Sequence, residues 1–184
     1  MKHPSTNAYF TYWDGKRAGE RAPDRGAIEP GDIRELLGDI FVLSYDSHAG
    51  FPFRVAGTRV CALFGRDLKD KSFLALFSDE SRREIEDIAT IVVEETLGAL
   101  AGVTGRSPAG GTTHLELLLL PFHARTHTPA SMTGLLAPFE SNPGLLGELE
   151  VTSHRYLHRP EKIVPRALRK LAIARGFMVY EGLR

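Results

Sequence analysis

Cysteine is all but missing: Cys61 stands alone in 184 residues. One thiol cannot close an intrachain disulfide, and it cannot furnish a multi-cysteine zinc module. Net charge is missing too, with Lys+Arg and Asp+Glu at 23 each. A surface that bound nucleic acid broadly would be basic. The longest apolar run, Leu117 to Phe122, is too short to span a bilayer. The opening residues Met1-Lys2-His3-Pro4-Ser5 show no apolar signal core. A cytoplasmic setting without membrane contact is therefore expected. No Asn or Gln occurs from Ala8 to Ser141, and no His between Ala49 and Thr113. A Gly-x-Ser-x-Gly elbow and a phosphate loop ending in Gly-Lys-Ser/Thr are both absent. Nothing pairs a nucleophile with a base. The expectation is a protein that is not an enzyme.

What is present fits one soluble domain with extensions. Apolar residues make up 42% and charged residues 25%, near the globular average. A chain of this length buries about two thirds of its unfolded surface in a single core. Charge is uneven along it. From Ser78 to Glu95 seven acids face two bases, a net of −5. From Arg155 to Arg184 eight bases face two acids, a net of +6. These stretches read as solvated helix faces. The sharper reading is a basic tail that docks on an acidic partner, a phosphate or the acidic helix of a second copy.

Three regions follow along the chain. Residues 1–40 form a helical leader. Asn7 to Lys16 is a short helix bearing Tyr9, Phe10, Tyr12 and Trp13, and Arg17 to Ala27 is a polar link. A second helix begins near Pro30, with Ile33, Leu36 and Leu37 on one stripe and Gly38 at its end. Residues 41–140 hold the main pattern. Residues 41–45 and 53–57 read as a strand hairpin, and Val60 to Phe64 as an apolar helical turn. Ser81-Arg82-Arg83-Glu84 matches a capping box, with Ile85, Ile88, Ala89 and Val92 at helical spacing behind it. Strands are expected at Ala99–Ser107, Thr113–Phe122 and Ser131–Phe139. Along the middle one, His114, Glu116, Leu118 and Leu120 share one side and Leu115, Leu117 and Leu119 the other. Both sides turn apolar, so this strand should be central and covered twice. The order predicts an α+β fold with a five-stranded antiparallel sheet and the long helix, about 80–96, on its concave face. Residues 141–184 are a basic tail with a helix over 165–178.

Two strands, short helices, one longer helix and three strands is an order that resembles the PAS family, over about Asp39 to Glu140. The stretch Arg21-Ala22-Pro23-Asp24-Arg25, with Ile28, Pro30, Ile33, Leu36 and Leu37, is similar to the leader of a compact PAS variant without an output module. The resemblance implies a sensory or regulatory role in signal transduction, exercised on a small ligand or a protein partner.

On a PAS-like sheet, Phe41, Phe53, Phe64, Phe73, Phe77, Phe122 and Met132 would line the concave side. With Val55, Ile88, Leu118 and Leu120 they supply the candidate set for a small apolar ligand, Phe53, Val55, Phe64, Phe73, Phe77, Ile88, Leu118, Leu120 and Met132. Arg54, Arg59, Arg66 and His114 are the polar candidates at its rim. The same residues serve equally as a filled core, which leaves a structural interaction module as the alternative. A nucleotide or nucleic-acid binder working through the tail is the other. Cofactors are not expected. In light-sensing PAS relatives a reactive cysteine sits among amide side chains that hold a flavin, and Cys61 has none. Haem-binding relatives carry their ligand on the long helix, which has no His here. His123 with His127, and His154 with His158, have i, i+4 spacing, but Pro121 and Pro129 bracket the first pair and no third ligand flanks the second. The apolar side of Tyr9-Phe10-Thr11-Tyr12-Trp13 needs a cover, and a homodimer built through this segment is expected.

Overall fold

The computed structural model describes residues 1–107, 110–124 and 129–157 in full, and the backbone of residues 169–174 and 177–181. Six strands make one antiparallel sheet: β1 (Ile40–Ser44), β2 (Phe53–Ala56), β3 (Gly98–Arg106), β4 (Thr112–Pro121), β5 (Ser131–Pro138) and β6 (Leu149–Leu157). Their spatial order is β2-β1-β5-β4-β3-β6. The fold is α+β, as the element order predicts, with one strand more than expected. That strand, β6, extends the sheet beyond β3. Thr152 is an extra residue opposite the Gly102–Val103 step, a bulge that shifts the register. It breaks the period-2 alternation, so Leu149 and Val151 on one side of it and Tyr156 on the other all reach the same core. This is why the stretch does not read as a strand.

Helices α2 (Thr58–Leu63) and α3 (Asp79–Glu94) cover the inner face of the sheet. Ile85, Ile88, Ala89 and Val92 of α3 are buried there at helical spacing. The cap of α3 sits three residues before the expected box. Ser78 is the N-cap and its side chain accepts from Ser81 N. Ser81 is buried instead, and its Oγ accepts from Val151 N at 3.0 Å, which ties α3 to β6.

Helix α1 (Pro4–Gly15) starts earlier than expected, because Pro4 fits the first turn and His3 caps it. It lies on the outer face of its own sheet. Thr6, Tyr9 and Trp13, spaced i, i+3 and i+7, are its buried stripe. Below them lie Ile40, Leu100, Leu118, Leu120, Leu135 and Ala137. The central strand β4 is thus covered on both faces. The aromatic segment finds its cover within the chain, which removes the exposed patch on which the expectation of a homodimer rested. The second leader helix is only a 3-10 turn, Pro30–Ile33, continued by i to i+3 bonds such as Leu36 N to Ile33 O. Gly31 early in this turn disfavours a longer helix.

The helix expected over 165–178 is corrected over residues 169–174 and 177–178, while 165–168 and 175–176 lie outside the described residues. β7 (Arg169–Ala174) and β8 (Phe177–Glu181) pair as an antiparallel ribbon. Gly176 interrupts the apolar run, and Phe177-Met178-Val179-Tyr180 is rich in strand formers.

One defect lies under α1. Thr6 Oγ1 is buried and has no hydrogen-bond partner. An unmet buried hydroxyl costs about 1–3 kcal/mol, while an isosteric methyl costs nothing of the kind. Thr6→Val is therefore expected to raise the unfolding free energy by about 1 kcal/mol in urea titration. A loss of stability would mean that the hydroxyl has a partner in solution.

Candidate functional site

The inner face is built around stacked phenylalanines. Phe41 and Leu43 point inward from β1, Phe53 from β2 and Met132 from β5, because alternate strand residues share a face. Phe73 and Phe77 flank the short 3-10 turn Leu74–Leu76 and close the cluster from above. Ring centroids lie 5.6 Å apart for Phe41–Phe53, 5.7 Å for Phe41–Phe73, 5.8 Å for Phe53–Phe73 and 5.2 Å for Phe73–Phe77. Those are edge and stacked contacts with no room between the rings. Phe41 also lies across Gly134 of β5, where an added Cβ would collide with the Phe41 ring.

Of the nine candidate ligand residues, Phe53, Phe73, Phe77, Ile88 and Met132 are brought together in this core, and Phe64 packs at its margin. Leu118 and Leu120 are not with them. They point to the outer face and pack under α1, as their alternation with Leu117 and Leu119 requires. Val55 is 52% exposed on the edge strand β2. Phe122 is buried but belongs to neither cluster. Of the rim candidates, Arg59 is committed elsewhere. Its Nε and Nη2 donate to Asp39 Oδ1 and Oδ2 at 2.6 and 2.8 Å, clamping α2 to the leader. This bidentate contact holds the Arg59 guanidinium above its usual range.

Cys61 lies on α2 against the core, its Sγ 4.0 Å from Ala56 O. A flavin would need amide side chains at its polar edge and space between the inner phenylalanines, and the residues present offer neither. His154 does not pair with another histidine. Its Nδ1 is 2.8 Å from Glu84 Oε1 of α3, and His127 and His158 lie outside the described residues. Among the described residues no group of three or more His, Cys, Asp or Glu gathers as a metal site.

The outer face holds polar pins that the sequence alone does not reveal. The N–H groups of Lys2 and His3 donate to Glu116 Oε1 and Oε2 at 2.8 and 3.0 Å. Trp13 Nε1 donates to Pro121 O at 3.1 Å. Tyr9 Oη and Thr133 Oγ1 are 2.7 Å apart, and Thr133 Oγ1 donates to Phe41 O. The one available signal was Glu116 itself, an acid on the same side as Leu118 and Leu120. Beside these pins runs an open groove of about 530 Å³, with Gly102 on its floor and Ser153 and Arg155 of β6 along its far wall. A second groove of about 720 Å³ lies at the end of β1 and β2, between Tyr45, Arg54 and Lys69.

Burial raises the Tyr9 hydroxyl to about 12, only partly offset by its bond to Thr133. The protonated form is therefore favoured by folding. Its contribution is complete below the ordinary tyrosine value near 10 and is lost as pH rises from there through 12. In a spectrophotometric titration Tyr9 should ionise last, together with unfolding. Ionisation of all five tyrosines before unfolding would contradict its burial.

The sequence model of the family described as PAS domain matches residues 1–137. No curated protein matches the chain. Among solved structures, the LOV protein of Rhodobacter sphaeroides is 14% identical, with a TM-score of 0.45 over 60% of this chain and 67% of that one. The PAS domain of the HTR-like protein from Haloarcula marismortui is 18% identical, with a TM-score of 0.41 over 59% of this chain and 90% of that one. The light-state Aureochrome1 LOV structure is 10% identical, with a TM-score of 0.45 over 60% and 88%. With TM-scores below 0.5 these structures carry no argument, and it is the sequence match across leader, helices and five strands that decides. The chain belongs to the PAS domain family, whose members are sensory domains of signal transduction.

Proposed function

We propose that this PAS domain is a regulatory module, not an enzyme, which acts by binding a protein partner and does not enclose an apolar ligand in its inner core. The observation that carries this reading is the self-packed cluster of Phe41, Phe53, Phe73 and Phe77, whose rings touch one another where an enclosed ligand would lie. A cytoplasmic setting is the accompanying reading, supported by the lack of any helix, among the described residues, long and apolar enough to cross a membrane. The homodimer expected from the aromatic leader loses its support, since Tyr9 and Trp13 are 1% and 2% exposed within one chain. Among the described residues, the large apolar residues that stay exposed, Leu37, Val55, Phe139 and Leu145, are spread over separate elements. Single exposed apolar residues are ordinary on a monomer.

Native mass spectrometry of freshly purified protein tests the reading. The expected result is the mass of one chain with no retained small molecule. A co-purified apolar compound would restore the enclosed-ligand reading, and a dimer mass would restore the homodimer. Binding to DNA or RNA that weakens steeply with salt would favour the basic tail as the working surface instead.

A further inference from the structure

The groove on the outer face has chemistry that its neighbours do not use. Its floor is Gly102 of β3, which pairs with Glu116 of β4 on one side and Ser153 of β6 on the other. The missing side chain opens a trench across the sheet. On one wall stands Glu116, only 5% exposed. Its oxygens take one backbone N–H each from Lys2 and His3. A carboxylate accepts about four hydrogen bonds, so half of this acceptor capacity remains. Among the described residues no cation pairs with it. A buried acid without a cationic partner is costly. On the opposite wall Arg155 is exposed and likewise makes no ion pair among the described residues.

The spacing of these two charges follows from the sheet. Arg155 lies opposite Leu100, two residues along β3 from Gly102 and on the same face. With strands about 4.8 Å apart and about 3.4 Å per residue, the Glu116 and Arg155 backbones are about 12 Å apart. Both residues stand on the outer face and line the trench, one on each side of Gly102. We infer that this trench is a binding site for a small zwitterion, of the class of free α-amino acids. The ligand ammonium donates to the open side of Glu116, and its carboxylate accepts from Arg155. His114 and the Ser153 hydroxyl border the ligand side chain. The inference goes beyond the partner-binding reading and does not depend on it, because the site lies on the other face of the sheet from the phenylalanine core. Since Glu116 also holds the residues entering α1, an occupied trench bears directly on the end of that helix.

Isothermal titration calorimetry of the full chain with L-lysine, L-leucine and L-glutamate tests this, with putrescine and succinate as ligands of a single charge sign. At least one amino acid should bind with a Kd below about 1 mM. Putrescine and succinate should each bind at least about tenfold more weakly, for want of one charge-assisted contact. Arg155→Ala and Glu116→Gln should each weaken amino-acid binding about tenfold or more. Ser153→Trp fills the trench from an exposed position and should abolish binding while circular dichroism stays unchanged, which keeps the test decisive if Glu116→Gln fails to fold. The inference is overturned if no amino acid of the three binds with a Kd below about 1 mM. It is overturned equally if putrescine or succinate binds as tightly, or if Ser153→Trp leaves the affinity intact.

Discussion

Phe73→Ala is expected to lower the unfolding free energy by about 3–5 kcal/mol, the range for deleting a buried aromatic ring. Phe73 is 2% exposed and touches Phe41, Phe53 and Phe77 at once. Its removal strips one ring contact from each of three neighbours that are themselves held by sheet and turn. The surroundings therefore collapse poorly, and the cost sits toward the upper end. For a chain of this size the midpoint of thermal unfolding should fall by about 10 °C or more. The hole left behind is apolar and should stay dry, so a small apolar solute such as benzene should restore part of the loss. Phe73→Leu keeps most of the volume and should cost well under half as much. If Phe73→Ala cost less than about 1 kcal/mol, the cluster would not be packed as described.

Trp13→Ala should cost a similar amount, about 3–5 kcal/mol, for a different reason. Trp13 is 2% exposed, and its indole N–H satisfies Pro121 O, a carbonyl that is otherwise buried under α1. Truncation removes the ring and leaves that carbonyl unmet, which alone costs about 1–3 kcal/mol. Trp13→Phe separates the two parts, since it keeps apolar cover and loses only the hydrogen bond. With α1 loosened, Leu118, Leu120 and Leu135 become open to water, and dye binding to exposed apolar surface should rise. Urea unfolding that leaves Trp13→Ala indistinguishable from the parent would show that α1 is not seated on the sheet in solution.

The sheet was legible in the sequence because its strands alternate cleanly. Leu115, Leu117 and Leu119 go one way and Leu118 and Leu120 the other, and α3 carries Ile85, Ile88 and Val92 at helical spacing. β6 was hidden by a single bulge at Thr152, which turns period 2 into noise over nine residues. The candidate site was only half legible. Periodicity says that two residues share a face, but not which face meets the helices. Leu118 and Leu120 were thus grouped with Phe53 and Met132 although the thickness of the sheet lies between them. The side that α1 covers was beyond reach for a related reason. The aromatic stripe of Tyr9 and Trp13 announces that something must bury it, and composition cannot choose between this sheet and another.

The pairing of α1 with strands far along the chain sets an order of events during synthesis. The acceptor of Trp13 lies 108 residues later, and that of Tyr9 lies 124 residues later. At roughly 5–20 residues per second a ribosome needs about 6–25 s to deliver Thr133 after Tyr9. Through that interval the leader aromatics have no sheet to lie on. The hairpin-like run of β3, β4 and β5 is local in sequence and forms fastest. Helix α1 therefore docks only once β4 and β5 have emerged, at a time when β6 is still to be added beside β3.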